Sequence, residues 1–172
     1  MTKRLFKNIR LFWPLTKSLQ TGLLVATGMA GYMSARCPVH NLSIMLGLFI
    51  SLLASIAGST ILNMWFDRDI DAKMERTKAR PLASGQIKPK EALWVGLIIS
   101  FLGVSLALFM NIGFGIIIFA GLFFDVVVYT IWLKRRTCWS IVWGGISGGM
   151  PILAGRFLGI GSLDWIGVVL AL

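Results

Sequence analysis

Between Leu42 and Phe66 the chain reads LSIMLGLFISLLASIAGSTILNMWF, twenty-five residues without a charge, and then changes abruptly to Asp67-Arg68-Asp69-Ile70-Asp71. As an α-helix such a run rises about 38 Å, enough to cross the ~30 Å hydrocarbon core of a bilayer with some tilt. Its apolar residues do not alternate, and it is roughly twice as long as a barrel strand, so a spanning helix is the reading.

The pattern recurs on both sides of this run. Leu19 to Ala35, Ala92 to Met110, Ile112 to Leu133 and Trp139 to Leu158 are further runs of this kind, and another apolar run begins at Leu163 and reaches Leu172. The expected fold is therefore all-α, a polytopic transmembrane helical bundle with five complete spans and the start of a sixth. Composition agrees: of 172 residues 56% are apolar and 14% charged, against about 25% charged in soluble chains. The mean hydropathy is +0.80. A soluble globular domain is excluded.

The net charge of +10 would suggest nucleic acid in a soluble protein, but here it follows topology. Fifteen of the seventeen basic residues lie in the N-terminal segment and in the connections after the second and fourth spans, leaving Arg36 and Arg156 for the other side. The positive-inside rule then places the N-terminus and the aspartate-rich loop in the cytoplasm, with no role for nucleic acid. A bacterial or archaeal plasma membrane is the expected location.

Several features carry ordinary readings. The basic start and first run resemble a secretory signal, but 17 residues is long for such a core and further spans follow. Cys37 and Cys138 fall on opposite sides of the membrane and lack metal-ligand spacing, and His40 reads as a turn residue. Gly144, Gly145, Gly148 and Gly149 form two overlapping small-x-x-x-small pairs, which mark close helix packing. After Asp164 only eight apolar residues remain. A carboxyl terminus at mid-bilayer is costly, so the chain is expected to be the N-terminal part, residues 1–172, of a longer transmembrane domain.

Chemistry concentrates after Asn63. Four of the seven acidic residues lie between Asn63 and Pro81, and topology gives no reason for them. If the helix continues past the membrane face, Asn63, Asp67 and Asp71 recur at i, i+4 and i+8 and line one face with oxygen ligands, while Asp69 points elsewhere. Carboxylates one turn apart repel unless a cation lies between them, and oxygen donors suit Mg²⁺, which completes its shell with water and phosphate oxygens. Arg76, Lys78 and Arg80 follow directly, and Lys17 and Lys134 to Arg136 lie on the same side. Together they make a cradle for a diphosphate carrying a lipid tail. The alternative is a solvated interfacial loop in which the carboxylates merely pair with Arg and Lys.

The stretch from Asn63 to Gly85 resembles the first aspartate-rich motif, N-x-x-x-D-x-x-x-D, of the UbiA superfamily of intramembrane prenyltransferases. Its fuller wording, Asp67-Arg-Asp-Ile-Asp71-Ala-Lys-Met-Glu-Arg-Thr with Arg80-Pro81-Leu and Gly85, is most similar to the heme O synthase branch. Tyr129-Thr130 with Trp132-Leu-Lys134-Arg135-Arg136-Thr137, and Leu15-Thr16-Lys17, resemble further motifs of that branch. The chain departs from it at Ser18-Leu19, Ser140, Met150 to Ile152 and Arg156.

The resemblance implies about nine helices and a second aspartate-rich motif after helix six. It implies that Asp67 and Asp71, supported by Asn63, hold Mg²⁺ against the diphosphate. Lys17, Arg76, Arg80, Lys134 and Arg135 would bind the leaving diphosphate while an electron-rich carbon attacks the allylic cation. The expected partners are membrane lipid, an isoprenoid diphosphate such as farnesyl diphosphate, and protoheme IX as acceptor; an aromatic quinone precursor is the alternative acceptor. A non-catalytic multispan protein with a loop for anionic lipid is the alternative from another class. Asp125 lies inside the fourth span, where ionisable residues are costly and often functional. At i and i+4 it shares a face with Tyr129. Either Asp125 orients Tyr129 or assists proton loss from the acceptor, or it is a protonated residue hydrogen-bonded between helices.

Overall fold

The computed structural model describes residues 13–35 and 41–172; Arg36, Cys37 and His40 lie outside them. A 3-10 turn, Trp13–Thr16, leads into α1 (Ser18–Ser34). The bundle continues with α2 (Leu42–Asp71), α3 (Pro89–Met110), α4 (Ile112–Phe123), α5 (Ser140–Ile160) and the short α6 (Trp165–Ala171). α4 passes without a break into a π-helix, Phe124–Leu133. Four elements are long and apolar enough to cross a membrane: α2, α3, α4 with its π-helix, and α5. At 17 residues α1 stands at the lower bound for a spanning helix.

Local sequence sets the helix ends. Asn41, Asn111 and Asp164 are N-caps whose side chains accept from the backbone N–H groups of Ser43, Phe114 and Gly167, satisfying donors that have no partner within the helix. Pro89 opens α3, where its missing N–H costs nothing. Gly161, at φ 84°, closes α5 in a left-handed conformation that suits glycine.

Two apolar centres hold the bundle. The larger brings Val25, Leu48, Leu52, Phe114, Ile117, Ile118 and Ala154 together from α1, α2, α4 and α5. The smaller packs Leu15, Ile61, Met64, Leu82, Ile87 and Ala92, which pins the connection between α2 and α3 beneath the end of α2. Outward faces carry Leu19, Phe101 and Phe109, all strongly exposed, with Trp94, Trp139 and Trp165 exposed near helix ends, as lipid contact and interfacial belts require.

Close helix contact uses Gly149 of the expected cluster and several glycines outside it. A Cβ on Gly155 would lie 1.9 Å from the carbonyl oxygen of Gly28, and one on Gly31 would lie 2.2 Å from that of Ile152, so α1 and α5 touch backbone to backbone there. Of the predicted cluster, only Gly149 meets a neighbouring backbone, at Ala171. Gly144 and Gly148 line a cavity instead. At Gly144 and Gly148 that face of α5 borders the cavity instead of a neighbouring backbone.

Candidate functional site

α2 runs to Asp71, five residues beyond the apolar run, and this extension builds the site. Asn63, Asp67 and Asp71 lie on one face, each less than a tenth exposed. The row begins earlier, because Ser51, Ser55 and Ser59 precede them at the same four-residue spacing and are also buried. Sequence reasoning missed Ser59, although the i+4 polar repeat inside an apolar run was its signal.

Each carboxylate meets a cation from a different connection. Arg80 donates from its Nη1 to Asp71 Oδ2 at 2.7 Å, and the loop is tied back by the Thr77 hydroxyl donating to the Asp71 carbonyl at 2.9 Å. Lys134, just past the π-helix, donates to Asp67 Oδ2. Asp67 Oδ1 is buried and has no hydrogen-bond partner among the described residues. A buried carboxylate oxygen without a donor is expensive, and it is the position a further cation would satisfy. Among the described residues no group of three His, Cys, Asp or Glu converges on one point; Mg²⁺ commonly takes only one or two carboxylates and substrate oxygens, so the donor set fits that ion.

Beside the row lies a cavity of about 340 Å³. Lys17, Ser59, Asn63, Asp125, Tyr129 and Lys134 line its polar end, and Leu24, Leu52, Ile56, Ile118 and Met150 line the rest. Lys17 is held at φ 44°, the one non-glycine residue with positive φ among those described. Strain of this kind persists where the surroundings over-determine it, often at functional sites. Burial, followed by the nearby charges of Arg80 and Lys134, holds its ammonium below the ordinary lysine value, while Asp125 and Asp67 pull the other way. A cation made costly in this manner favours an anionic ligand.

The wider turn of the π-helix pairs residues five apart, and the Thr130 hydroxyl donates to the Asp125 carbonyl at 2.9 Å, while Asp125 and Tyr129 both line the cavity. The same hydroxyl lies 2.8 Å from Asn63 Oδ1, so its one proton is shared between that oxygen and the Asp125 carbonyl, and Asn63 Nδ2 donates to Asp125 Oδ2 at 2.8 Å. The Ser59 hydroxyl donates to the same Asp125 oxygen. Asn63 therefore joins α2 to the π-helix, with both ends of its amide engaged, rather than presenting a free oxygen beside Asp67. Tyr129 keeps its place in the cavity, its ring 5.5 Å from Lys134 Nζ.

Three expected phosphate ligands stand apart. Arg135 is bound to both Asp69 oxygens, at 2.7 and 3.0 Å, and to the Phe66 carbonyl. Lys78 pairs with exposed Glu75 at 2.6 Å. Arg76 is exposed in the connection. Loop residues can be counted from sequence, but which of them turn inward depends on where Leu82 and Ile87 anchor the loop.

The sequence profile of the UbiA prenyltransferase family matches residues 24–172. A protoheme IX farnesyltransferase of Archaeoglobus fulgidus is 46% identical over 81% of this chain and 49% of its own length. One of Korarchaeum cryptofilum is 41% identical over 92% and 53%. The chain thus spans about half the length of the curated relatives it matches. Among solved structures, digeranylgeranylglyceryl phosphate synthase superposes with a TM-score of 0.85 at 25% identity, covering 96% of this chain and 57% of that one. A UbiA homologue from Archaeoglobus fulgidus bound to GPP and Mg²⁺ shares the fold, with a TM-score of 0.66 at 19% identity over 89% and 52% of the two chains. By this profile and these relatives, the chain is an integral membrane protein that belongs to the UbiA prenyltransferase family.

Proposed function

We propose that the chain carries the N-terminal portion of a Mg²⁺-dependent prenyltransferase domain that moves a prenyl group from an isoprenoid diphosphate to protoheme IX, giving heme O. The observation that supports this most directly is the pair of buried carboxylates one helical turn apart, each facing a cation from another loop, one of which, Lys134, also lines the cavity. A loop for anionic lipid would gain nothing from burying Asp67 and Asp71.

Asp67 and Asp71 would hold Mg²⁺, which when bound shares the negative charge of the diphosphate and favours its departure. Lys17, Lys134 and Arg80 would engage the diphosphate oxygens, and the apolar walls would take the prenyl chain and exclude water. Arg76 would join them by closing over the substrate. The site would open to the cytoplasm, in line with the basic connections.

The heme acceptor rests on the relatives' names and on the motif wording, and an aromatic acceptor is the competing reading. Binding of farnesyl diphosphate to the full-length protein should require Mg²⁺ and be lost in Asp67→Ala. Transfer should occur to heme and not to 4-hydroxybenzoate. Binding indifferent to both chelator and Asp67→Ala would refute the enzyme reading, and transfer to the aromatic acid alone would move the assignment to the other branch.

A further inference from the structure

Asp125 is the single carboxylate among the described residues that line the cavity. It is held from both sides. Ser59 and Asn63 donate to its Oδ2, Thr130 donates to its backbone carbonyl, and these three come from two separate elements. Oδ1 has no hydrogen bond among the described residues and belongs to a residue at the cavity wall. Such an arrangement fixes the carboxyl group in space and leaves one of its oxygens uncommitted.

Its position divides the cavity. Lys17 and Lys134 share the polar end, whereas Leu24, Leu52 and Ile118 form the apolar part. A prenyl diphosphate with its phosphates at the lysines and its tail among the leucines brings its first carbons near Asp125. The geometry points to Asp125 as the group that stabilises the positive charge arising on the allylic carbons, an inference that rests on the prenyl-transfer reading above. When the carbon–oxygen bond breaks, its electron pair leaves with the diphosphate oxygen, and the cation is spread over the first and third carbons of the chain. The fixed carboxylate lowers the energy of that cation without forming a bond to it; the acceptor carbon then supplies the electron pair of the new carbon–carbon bond, and the cation this leaves on the acceptor is closed by addition of water with loss of a proton. A preorganised charge aimed at a developing one is worth about 100-fold or more in rate.

The test separates ionisation from binding in the full-length protein. Farnesyl diphosphate carrying ¹⁸O at the bridging position scrambles that label only if the carbon–oxygen bond breaks reversibly, so scrambling reads ionisation with no acceptor present. Asp125→Asn, which keeps shape and hydrogen bonds, should leave the Kd for farnesyl diphosphate within threefold and slow scrambling by about 100-fold; Asp125→Glu should recover much of the loss. Should the Asn variant fail to fold, Ser59→Ala, which frees Asp125 on one side, should slow scrambling about tenfold at unchanged Kd. Scrambling within threefold of wild type in Asp125→Asn would overturn the inference. So would tighter diphosphate binding with unaltered scrambling, the signature of a carboxylate that merely balances Lys17. Wild-type protein that binds no farnesyl diphosphate would overturn the prenyl-transfer reading itself, and this inference with it.

Discussion

Lys134 donates to one oxygen of Asp67 across the gap between the π-helix and α2, while the other oxygen of the same carboxylate is buried without a partner among the described residues. One half of this carboxylate is thus answered by the protein and the other half is left for something else. A charge-assisted bond of this kind is worth about 1.5–3 kcal/mol, so Lys134→Ala should weaken farnesyl diphosphate binding by roughly 10- to 100-fold and leave the requirement for Mg²⁺ intact. Asp67→Asn should instead remove the dependence on Mg²⁺. Calorimetric titration with and without chelator distinguishes the two, and equal loss of metal dependence in both variants would contradict the division of roles.

Lys17 gives the site a dependence on pH. Its ammonium is held below the ordinary lysine value, first by burial and then by Arg80 and Lys134, so it loses its proton at a lower pH than a free lysine. Diphosphate affinity should therefore decline as pH rises through that lowered value, and Lys17→Arg, charged throughout the range, should abolish the decline. The stability of the ligand-free protein moves in the opposite sense. The folded chain binds this proton less tightly than the unfolded chain, so the lysine is unfavourable below its folded pKa, and the burden is relieved as pH rises towards 10.5. Kd measured across alkaline pH for the wild type and Lys17→Arg checks the sign.

The spans were legible because hydropathy is additive along a chain, and Leu42 to Phe66 needs no partner to be recognised as apolar. The carboxylate row was legible for a similar reason: α2 carries Asn63, Asp67 and Asp71 on one rigid element, so their spacing already fixes their geometry. What could not be read was any relationship between elements. Arg135 turning to Asp69, Arg80 turning to Asp71, and Asn63 reaching into the π-helix depend on how far apart the helices stand and on where the loop is anchored.

The contact between α1 and α5 makes a prediction about stability. Gly155 lies so close to Gly28 that an added Cβ would stand 1.9 Å from its carbonyl oxygen. Backbone cannot yield as the end of a flexible side chain can. Gly155→Ala should therefore separate the two helices and destabilise the protein by about 1–3 kcal/mol or more. Gly145, with nothing within 4 Å of the added atom, is the control on the same helix, where alanine should be neutral or favourable through its better helix propensity. Thermal unfolding of the detergent-solubilised protein should show a lower Tm for Gly155→Ala only.

Gly148 tests whether the cavity holds the prenyl chain. It lines the cavity and an added Cβ meets nothing within 4 Å, so a larger side chain there grows into empty space and not into a neighbour. Gly148→Leu should fill part of the ~340 Å³ with little cost to folding. It stands away from Asp67, Asp71 and Arg80, none of which lines the cavity. Inorganic diphosphate, which needs only the cradle, should bind the variant as it binds wild type. Farnesyl diphosphate, which needs the apolar volume as well, should bind at least tenfold more weakly, because a tail excluded from the cavity forfeits about 0.8 kcal/mol for each CH₂ left unburied. Dimethylallyl diphosphate, with five carbons, should be affected least. Parallel loss of all three ligands would show that Gly148 matters to the cradle, and undiminished binding of farnesyl diphosphate would place the chain elsewhere, between helices and lipid.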